Sequence, residues 1–361
     1  MGGNKPIWVT GFMSGTSLDG VDAACLLTDG VDICEFGPSV YRPYSAAERQ
    51  MIQGVLGKWP GAPGLEPVSK LIMAAHLEAW SQLPPAALIG FHGQTLCHDP
   101  QNSRTHQLGS GSELARRAGT AVAWDFRSED VGCGGQGAPL APIFHWALAR
   151  YKQIEEPMAI VNLGGVGNLT WIDARLPAEQ GLLAFDTGPA NAPLNDFMMK
   201  TTGHPYDVGG ALAASGRVDE ELVALFLQRP YFSRSAPKSL DRDSFSDMVE
   251  LVAQLAPADA AATLTALCVA AIEAALPLIP VQPKQVWISG GGRKNIEIMR
   301  QLAMKLPMKV YDIDDIGLDG DMLEAQAFAY LAARVARGLA TSFPATTATK
   351  APLCGGKISL P

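Results

Sequence analysis

Residues 14–20, SGTSLDG, join two apolar runs and combine hydroxyl groups, a carboxylate and two glycines. Consecutive backbone amides in a tight turn form a concave anion site, and the hydroxyls of Thr16 and Ser17 can donate to phosphate oxygens. Gly15 and Gly20 permit a positive φ and let a ligand approach the backbone closely. The segment therefore predicts a phosphate-binding hairpin, and a plain hydrophilic turn is the alternative.

The acidic residues of this stretch make it a candidate metal site as well. Asp19 could hold a divalent cation through a water molecule, or could orient a hydroxyl group, and the choice between Asp19 and Asp22 as the metal-facing residue stays open. The segment is not a Walker loop, because no lysine follows its glycines and no helix comes next.

A second hairpin with similar residue types occurs later in the chain, at NLGGVGNLT, residues 162–170. Gly164 and Gly165 provide the flexible turn, and Asn168 provides a polar side chain beside it. A lone glycine hairpin is weak evidence. Two of them at matching places in the two halves of the chain predict two phosphate clamps on one nucleotide.

A glycine run at the end of another apolar strand is suited to a nucleoside. Gly290, Gly291 and Gly292 follow KQVWIS and precede a predicted helix. Backbone without side chains lets an adenosine or ribose pass close to the positive end of a helix. A tight strand-to-helix turn without a ligand would use the same residues.

Asp186 is the candidate general base. It follows the apolar run LLAF and precedes Gly188 and Pro189. A carboxylate at a strand end that opens into a cleft is well placed to accept a proton. The alternative is a helix N-cap, in which Asp186 would bind the free amides of the next helix.

Several polar residues in the first half could bind a second ligand. The guanidinium of Arg127 could form two parallel hydrogen bonds with a ligand carboxylate, or it could simply pair with Asp125 and Asp130. His92 and Gln94 follow a buried strand and could donate to a ligand, although a lone histidine there is also typical of a structural residue.

Three more charged residues are weaker candidates. Glu324 opens the last long predicted helix, where an acidic residue is favourable because of the helix dipole alone. Lys238 and Arg242 lie in a predicted loop, where solvated surface charge is the ordinary explanation.

The elements that must position these residues occur in the same order twice. Each half begins with a glycine-turned hairpin and continues with helices, and each ends with a strand that runs into glycines, at 87–92 and at 284–289. Such a repeat predicts two α/β domains, residues 1–130 and 131–361, which face each other across a ligand cleft. We expect the C-terminal tail to pack back on the first domain.

Composition excludes other classes of protein. A formal net charge of −8 without a basic run gives nucleic-acid binding little electrostatic support. The six cysteines are scattered, which argues against a disulfide framework or zinc site and indicates the reducing cytoplasm. The N-terminal residues lack the apolar core of a signal peptide. Residues 260–281 could imitate a membrane span but contain Glu273, so a buried core helix is predicted rather than a membrane segment.

Taken together, the motifs resemble those of the anhydro-N-acetylmuramic acid kinases. Along residues 11–340 they follow the family's order: GFMSGTSLDGVDAA, GFHGQT, DFRSEDVGCGGQGAPLAP, NLGGVGN, FDTGPAN, PKS, SGGGRKN and MLEAQAFAYLA. The resemblance implies the sugar kinase, heat-shock chaperone and actin superfamily. The fold it implies is α/β, with two duplicated ribonuclease H-like (actin-like ATPase) domains around a nucleotide cleft.

The resemblance also implies an activity. ATP, with Mg²⁺, phosphorylates the six-oxygen of 1,6-anhydro-N-acetylmuramic acid while water opens the anhydro bridge. The products are N-acetylmuramic acid 6-phosphate and ADP, in cytoplasmic cell-wall recycling, and the family implies a homodimer. Two alternatives stay open: a kinase for another free amino sugar, and a non-catalytic ATP-binding regulatory protein.

Site residues carry over from the family motifs, with Asp186 as the general base. The ATP-binding residues implied are Gly15, Thr16, Ser17, Leu18, Asp19, Gly20, Val21, Asp22, Gly164, Gly165, Asn168, Gly290, Gly291 and Gly292. The substrate-binding residues implied are His92, Gln94, Asp125, Arg127, Gln136 and Glu324.

The chain departs from the family pattern at three places. Ala190 stands where glycine is usual, which matters if that position needs a positive φ. Asn195 stands where many members have aspartate, and PKSLDRDSF replaces a common PKSTGRExF. None of these touches Asp186 or the first hairpin.

Overall fold

A computed structural model describes residues 5–15, 17–240 and 242–361, without the side chains of residues 242 and 243. The chain divides into two compact units, Met1–Gln153 with Met322–Pro361, and Ile154–Asp321. The first unit is therefore larger than the expected residues 1–130, because it includes residues 131–153 and the whole C-terminal segment.

The chain forms the strands β1 (Ile7–Ser14), β2 (Gly20–Thr28), β3 (Ile33–Pro43), β4 (Leu88–Asp99), β5 (Arg104–Leu108), β6 (Val122–Trp124), β7 (Met158–Leu163), β8 (Val166–Ile172), β9 (Leu182–Pro189), β10 (Gln285–Ser289), β11 (Lys309–Asp312) and β12 (Lys357–Ser359).

The α-helices are α1 (Ala46–Gln53), α2 (Leu65–Trp80), α3 (Gly111–Ala118), α4 (Ser128–Gly132), α5 (Pro142–Tyr151), α6 (Ala178–Gly181), α7 (Asn191–Thr202), α8 (Ala211–Ser215), α9 (Glu220–Leu227), α10 (Met248–Leu251), α11 (Pro257–Ala275), α12 (Ile296–Lys305), α13 (Leu323–Ala336) and α14 (Pro344–Thr347). Short 3₁₀ turns lie at Pro100–Asn102, Val208–Gly210, Arg242–Phe245, Leu276–Leu278 and Gly291–Lys294.

Each unit is built on one sheet, and the two sheets share a topology. In the first, the order is β12-β6-β4-β1-β2-β3, and β5 pairs with β4; in the second, it is β11-β10-β7-β8-β9. In both, a hairpin strand (β2 or β8) lies antiparallel between its neighbours, and the next strands along the sheet are parallel. The prediction of a duplicated α/β fold is confirmed by this repeated order.

Helix α13 lies directly on the first sheet because two strand positions have no side chain. A Cβ on Gly11 of β1 would lie 1.9 Å from the carbonyl oxygen of Ala325, and one on Gly90 of β4 would lie 2.2 Å from that of Phe328. This close packing explains why the last long helix belongs to the first unit, and it positions Glu324 there. Strand β12 pairs with β6 and extends the same sheet.

The second unit is organised around α11. Its buried side chains, including Cys268, Val269 and Ile272, pack with Val161 and Phe185 of the sheet. The segment Pro257–Leu278 is long and apolar enough to cross a membrane, but 78% of its most apolar window is buried inside the protein. The predicted core helix is confirmed.

Candidate functional site

Buried hydrogen bonds hold the first hairpin at its base. Gln94 is fully buried on β4, and its Nε2 donates to the carbonyl oxygen of Gly15 at 3.0 Å. Its Oε1 accepts a 2.6 Å hydrogen bond from Oγ of Ser14, which also lies 3.0 Å from the hydroxyl of Tyr44. The Gln94 amide therefore supports the base of the hairpin, and its predicted contact with substrate stays a prediction.

The turn itself is compact around a buried leucine. Leu18 has φ +56° and is only 3% exposed, and its amide donates to the carbonyl oxygen of Gly15 at 3.2 Å. Ser17 is exposed, and its hydroxyl donates to Oδ1 of Asp19 at 2.7 Å. Thr16, which was predicted to donate to phosphate, lies outside the described residues.

The two glycines of the turn serve different purposes, and neither has the positive φ that the sequence allowed. A Cβ on Gly20 would lie 2.5 Å from the carbonyl oxygen of Arg42, so the neighbouring strand requires glycine there. A Cβ on Gly15 would have no atom nearer than 3.6 Å. A methyl group at Gly15 would therefore make only ordinary van der Waals contacts with the described residues.

The carboxylates of the first hairpin stand close to one tyrosine. Asp19 is exposed, Asp22 is half-buried, and Val21 between them is fully buried. Burial raises the pKa of Tyr41, and the negative charges of Asp19 and Asp22 raise it further. Among the described residues, no group of three or more His, Cys, Asp or Glu side chains is arranged to hold a metal ion. A cation here would rely on one or two carboxylates, water and phosphate, as Mg²⁺ often does.

Arg127 is held by hydrogen bonds to His92 and to the backbone of Gly137. Its Nε donates to Nε2 of His92 at 2.9 Å, and its Nη1 donates to the carbonyl oxygen of Gly137 at 2.6 Å. Because Nε2 accepts, Nδ1 of His92 carries the proton and donates to the Gly93 carbonyl oxygen at 2.8 Å. Both ring nitrogens are thus engaged, and His92 positions Arg127; its predicted contact with a ligand stays a prediction.

The neighbouring aspartates have other partners. Asp130 is fully buried, and its carboxylate accepts the Gly137 amide at 2.6 Å and the Thr347 hydroxyl at 2.7 Å. Asp125, with φ +57°, forms a 2.8 Å ion pair with Lys357. Among the described residues neither aspartate forms an ion pair with Arg127, although the negative charge of Asp130 raises the pKa of its guanidinium.

Burial lowers the pKa of Arg127 to about 10, which leaves the guanidinium protonated at neutral pH. Glu324 lies in the first turn of α13, as predicted, and is exposed. Its carboxylate interacts electrostatically with both Arg127 and Asp19. Gln136 is half-buried, and its backbone is bonded to Thr347 and His98. The first unit thus brings a cation and two carboxylates near the first hairpin.

Asp186 lies within strand β9, and helix α7 has Ala190 as its N-cap residue. The N-cap alternative for Asp186 is therefore excluded. The amide of Leu240 donates to Oδ2 of Asp186 at 2.7 Å. Burial raises the pKa of Asp186 to about 7, and the hydrogen bond from Leu240 opposes that rise. A carboxylate with this pKa can accept a proton near neutral pH and hold it.

A polar row crosses the second sheet at the level of Asp186. Asn168 on β8 is opposite Asp186, Asn162 on β7 is opposite Asn168, and Ser289 on β10 is opposite Asn162. Directly opposed residues on neighbouring strands share a face of the sheet. A line of polar side chains therefore runs from Asp186 to the second glycine hairpin and to the glycine run after β10. The sequence predicted no role for two of its members, Asn162 and Ser289.

The second hairpin is bonded to the start of α7. The amide of Asn191 donates to the carbonyl oxygen of Gly164 at 2.9 Å, and that of Ala190 donates to Gly165 at 3.0 Å. Ala190 has φ −119°, so an alanine at this usually glycine position has no left-handed strain. The side chain of Asn191 also donates to the Leu163 carbonyl oxygen at 2.7 Å.

The later glycine run packs against the same place. A Cβ on Gly290, which has φ +77°, would lie 2.4 Å from Oδ1 of Asn162, and one on Gly292 would lie 2.5 Å from Cβ of Leu163. Gly291 has no atom within 4 Å of its Cβ position. Two of these glycines therefore join β10 to β7, and Gly291 alone presents open backbone.

The sequence did not predict that residues 231–240 pack beside Asp186. Lys238, a weak ligand candidate in the sequence with solvated surface charge as the alternative, is only 6% exposed and donates from Nζ to the carbonyl oxygen of Tyr231 at 3.0 Å. Burial lowers the pKa of Lys238 to about 8. The spacing and hydropathy of the residues around Lys238 are typical of a loop. Its place in the PKS motif was therefore the one feature of the sequence that pointed to a specific role.

Comparison with known proteins finds relatives that match this chain over nearly its whole length. The family model described as anhydro-N-acetylmuramic acid kinase matches residues 7–360. A protein named anhydro-N-acetylmuramic acid kinase 1 from Jannaschia sp. is 51% identical over 99% of this chain and 96% of its own length. One named anhydro-N-acetylmuramic acid kinase from Cereibacter sphaeroides is 52% identical over 98% of this chain and 96% of its own.

Solved structures are more distant. Component A of (R)-2-hydroxyglutaryl-CoA dehydratase from Acidaminococcus fermentans is 13% identical with a TM-score of 0.46, over 92% of this chain and 99% of that one. A ROK family glucokinase from Streptomyces griseus is 13% identical with a TM-score of 0.42, over 90% of this chain and 99% of that one. Likeness at this level carries no conclusion about activity.

Proposed function

Because this chain belongs to the anhydro-N-acetylmuramic acid kinase family, we propose that Asp186 is the general base that activates water in its reaction. The chain is a kinase of cell-wall recycling that uses ATP and an amino sugar. The observation that carries the proposal is the half-buried carboxylate on β9, whose pKa is raised to about 7 by burial.

The chemistry requires a base because the acceptor is an ether oxygen. Water attacks the anomeric carbon while Asp186 takes one of its protons. The bond from that carbon to the bridging oxygen then breaks, and its electron pair passes to the oxygen. This oxygen attacks the γ-phosphorus of ATP, and ADP leaves. Water activation by a carboxylate is the same step as in inverting glycosidases, and the phosphoryl group replaces the general acid.

We assign the phosphate-binding role to glycine-containing turns in each unit. In the first it is the turn at Gly15, and in the second it is Gly164, Gly165 and Gly291. Asp19 is the exposed carboxylate that we assign to Mg²⁺ through water. Bound Mg²⁺ supplies charge neutralisation on the transferred phosphoryl group.

Arg127 is our candidate for recognition of the lactyl carboxylate of the sugar. His92 and Gly137 engage its Nε and Nη1, and we assign Nη2, which has no hydrogen bond to the described residues, to a ligand. Since the guanidinium is fixed by protein groups on one side, little side-chain entropy remains to be lost when it binds a carboxylate.

The decisive experiment compares the wild type with Asp186→Asn in a coupled ADP-release assay. Removal of the base should lower kcat by roughly 10²–10⁴-fold, while ATP binding and the circular dichroism spectrum stay unchanged. Near-normal turnover of Asp186→Asn would remove the assignment.

Labelled water separates this reaction from phosphorylation of a free sugar hydroxyl. In H₂¹⁸O, the label should enter the anomeric hydroxyl of the product. Product without label, or preference for N-acetylmuramic acid as substrate, would instead favour a kinase for a free amino sugar. ATP binding without sugar-dependent ADP release would favour a regulatory protein.

We also propose that the enzyme works in the cytoplasm as a homodimer. All six cysteines are free thiols, which suits a reducing compartment. Sedimentation equilibrium of the purified chain tests the dimer.

A further inference from the structure

We propose that Tyr231 and Lys238 are positioning residues for the reaction. They hold the segment 231–240 against β9 so that one oxygen of the Asp186 carboxylate is fixed and the other faces the attacking water. The inference rests on the proposed role of Asp186 as the base.

Four hydrogen bonds make the connection. The Tyr231 hydroxyl donates to the carbonyl oxygen of Asp186 at 2.5 Å, and the Asp186 amide donates to the carbonyl oxygen of Lys238 at 2.9 Å. Nζ of Lys238 donates back to the Tyr231 carbonyl oxygen at 3.0 Å. The Leu240 amide then donates to Oδ2 of Asp186 at 2.7 Å. The first three bonds close a ring, and the fourth transmits its geometry to the carboxylate.

The ring is shielded from solvent. Tyr231 is 8% exposed and Lys238 is 6% exposed, and the ammonium lies 4.4 Å from the centroid of the Tyr231 ring. A buried ammonium is costly unless hydrogen bonds and the face of an aromatic ring compensate it. Arg234 is a second cation near this tyrosine, with its guanidinium 5.6 Å from the ring centroid. An ordinary surface loop does not need a buried ammonium. We therefore attribute the burial of Lys238 to the need to hold residues 231–240 in a fixed position beside Asp186.

The consequence for Asp186 follows from which atoms are engaged. Oδ2 accepts the Leu240 amide, and we assign the water proton to Oδ1, which accepts no hydrogen bond from the residues that the structure describes. A backbone amide that donates to a carboxylate favours its charged form. If the segment 231–240 shifts, Asp186 loses both its orientation and part of this stabilisation.

The test measures kcat, KM for ATP and sugar, and the pH dependence of kcat for Tyr231→Phe and Lys238→Met. We expect kcat to fall about tenfold in Tyr231→Phe, since one hydrogen bond is lost, with KM for ATP unchanged. We also expect the acid limb of the pH profile to move to higher pH. Lys238→Arg, which keeps a cationic donor, should recover part of the activity lost in Lys238→Met.

Matched controls come from exposed positions in the same unit, Tyr206→Phe and Lys200→Met, which should keep wild-type kinetics. If Lys238→Met does not fold, Tyr231→Phe still decides, because it removes a single hydroxyl. Wild-type kcat and pH profile in Tyr231→Phe would overturn the inference.

Asp186→Asn, measured in parallel, separates the positioning role of Tyr231 from the role of Asp186 as the base. An inactive Asp186→Asn with a normal Tyr231→Phe removes only the positioning role. An active Asp186→Asn removes the base assignment itself, whatever the Tyr231 variant does.

Discussion

The guanidinium of Arg127 donates to Nε2 of His92 at 2.9 Å, so a neutral imidazole orients this cation. Burial lowers the pKa of His92 well below its usual value, and the positive charge of Arg127 lowers it further. The imidazole of His92 therefore stays neutral across the physiological pH range and can keep accepting the hydrogen bond from Nε of Arg127. The negative charges of Glu324 and Asp130 act on this guanidinium without an ion pair to either among the described residues.

Arg127→Ala should reduce discrimination for the lactyl group. A charge-assisted hydrogen bond is worth about 1.5–3 kcal/mol, so kcat/KM for 1,6-anhydro-N-acetylmuramic acid should fall about 10- to 150-fold. For the analogue without the lactyl group, the fall should be much smaller. Steady-state kinetics with both sugars checks this, and exposed Arg116→Ala on α3 is the control. An equal loss on both sugars would contradict carboxylate recognition.

The pH profile of the wild type should have an acid limb near neutrality. Burial raises the pKa of Asp186 to about 7, and only the ionised carboxylate can accept the water proton. Below pH 7, kcat/KM should therefore fall about tenfold for each pH unit, and above pH 7 it should level off. Assays between pH 5 and pH 9 in constant ionic strength measure this. A plateau that extends down to pH 5 would assign the proton to another acceptor.

Gly15→Ala and Gly20→Ala should separate ligand binding from folding. A Cβ on Gly15 has no atom within 3.6 Å, so the fold should tolerate it, whereas phosphate should bind less tightly and KM for ATP should rise. A Cβ on Gly20 would lie 2.5 Å from the Arg42 carbonyl oxygen and should cost about 1–3 kcal/mol of stability. Urea unfolding and ATP titration of both variants give the comparison. Unchanged ATP affinity in a folded Gly15→Ala would argue against a phosphate site at this turn.

His76 should make the protein sensitive to acid. It is fully buried on α2 between Phe12 and Phe91, with Nδ1 2.7 Å from the Ile72 carbonyl oxygen and Nε2 without a partner. Burial lowers the pKa of His76 to about 4. The unfolded chain, with an ordinary histidine pKa near ~6.5, therefore binds more protons between those values. Stability is complete above about pH 6.5 and falls by up to roughly 3 kcal/mol as pH drops toward 4.

His76→Phe removes this titration, so the pH dependence of the unfolding free energy between pH 7.5 and pH 5 should become shallower. Urea titrations at several pH values measure the slope, and His204→Gln, at an exposed position, is the control. An unchanged slope in His76→Phe would show that other groups dominate the acid response.

Local sequence patterns were sufficient for the repeated hairpins, the core helix and the position of Asp186. Each depends on residues that are near one another in the chain: glycines between apolar runs, the apolar stretch of α11, and a carboxylate that follows a short apolar strand. Strand β3 was not predicted, because it is mostly exposed and has little apolar alternation.

Only the tertiary structure decided which hydrogen-bond partners the buried polar side chains have. The sequence placed Lys238 in solvent and offered Asp125 and Asp130 to Arg127, yet Lys238 is buried and Arg127 bonds to His92. The physical reason is that a buried polar group must find its hydrogen-bond partner wherever packing brings one, and that partner is seldom close in sequence. Chain order determined which chemistry this protein carries, and long-range packing decided which side chains are left free to perform it.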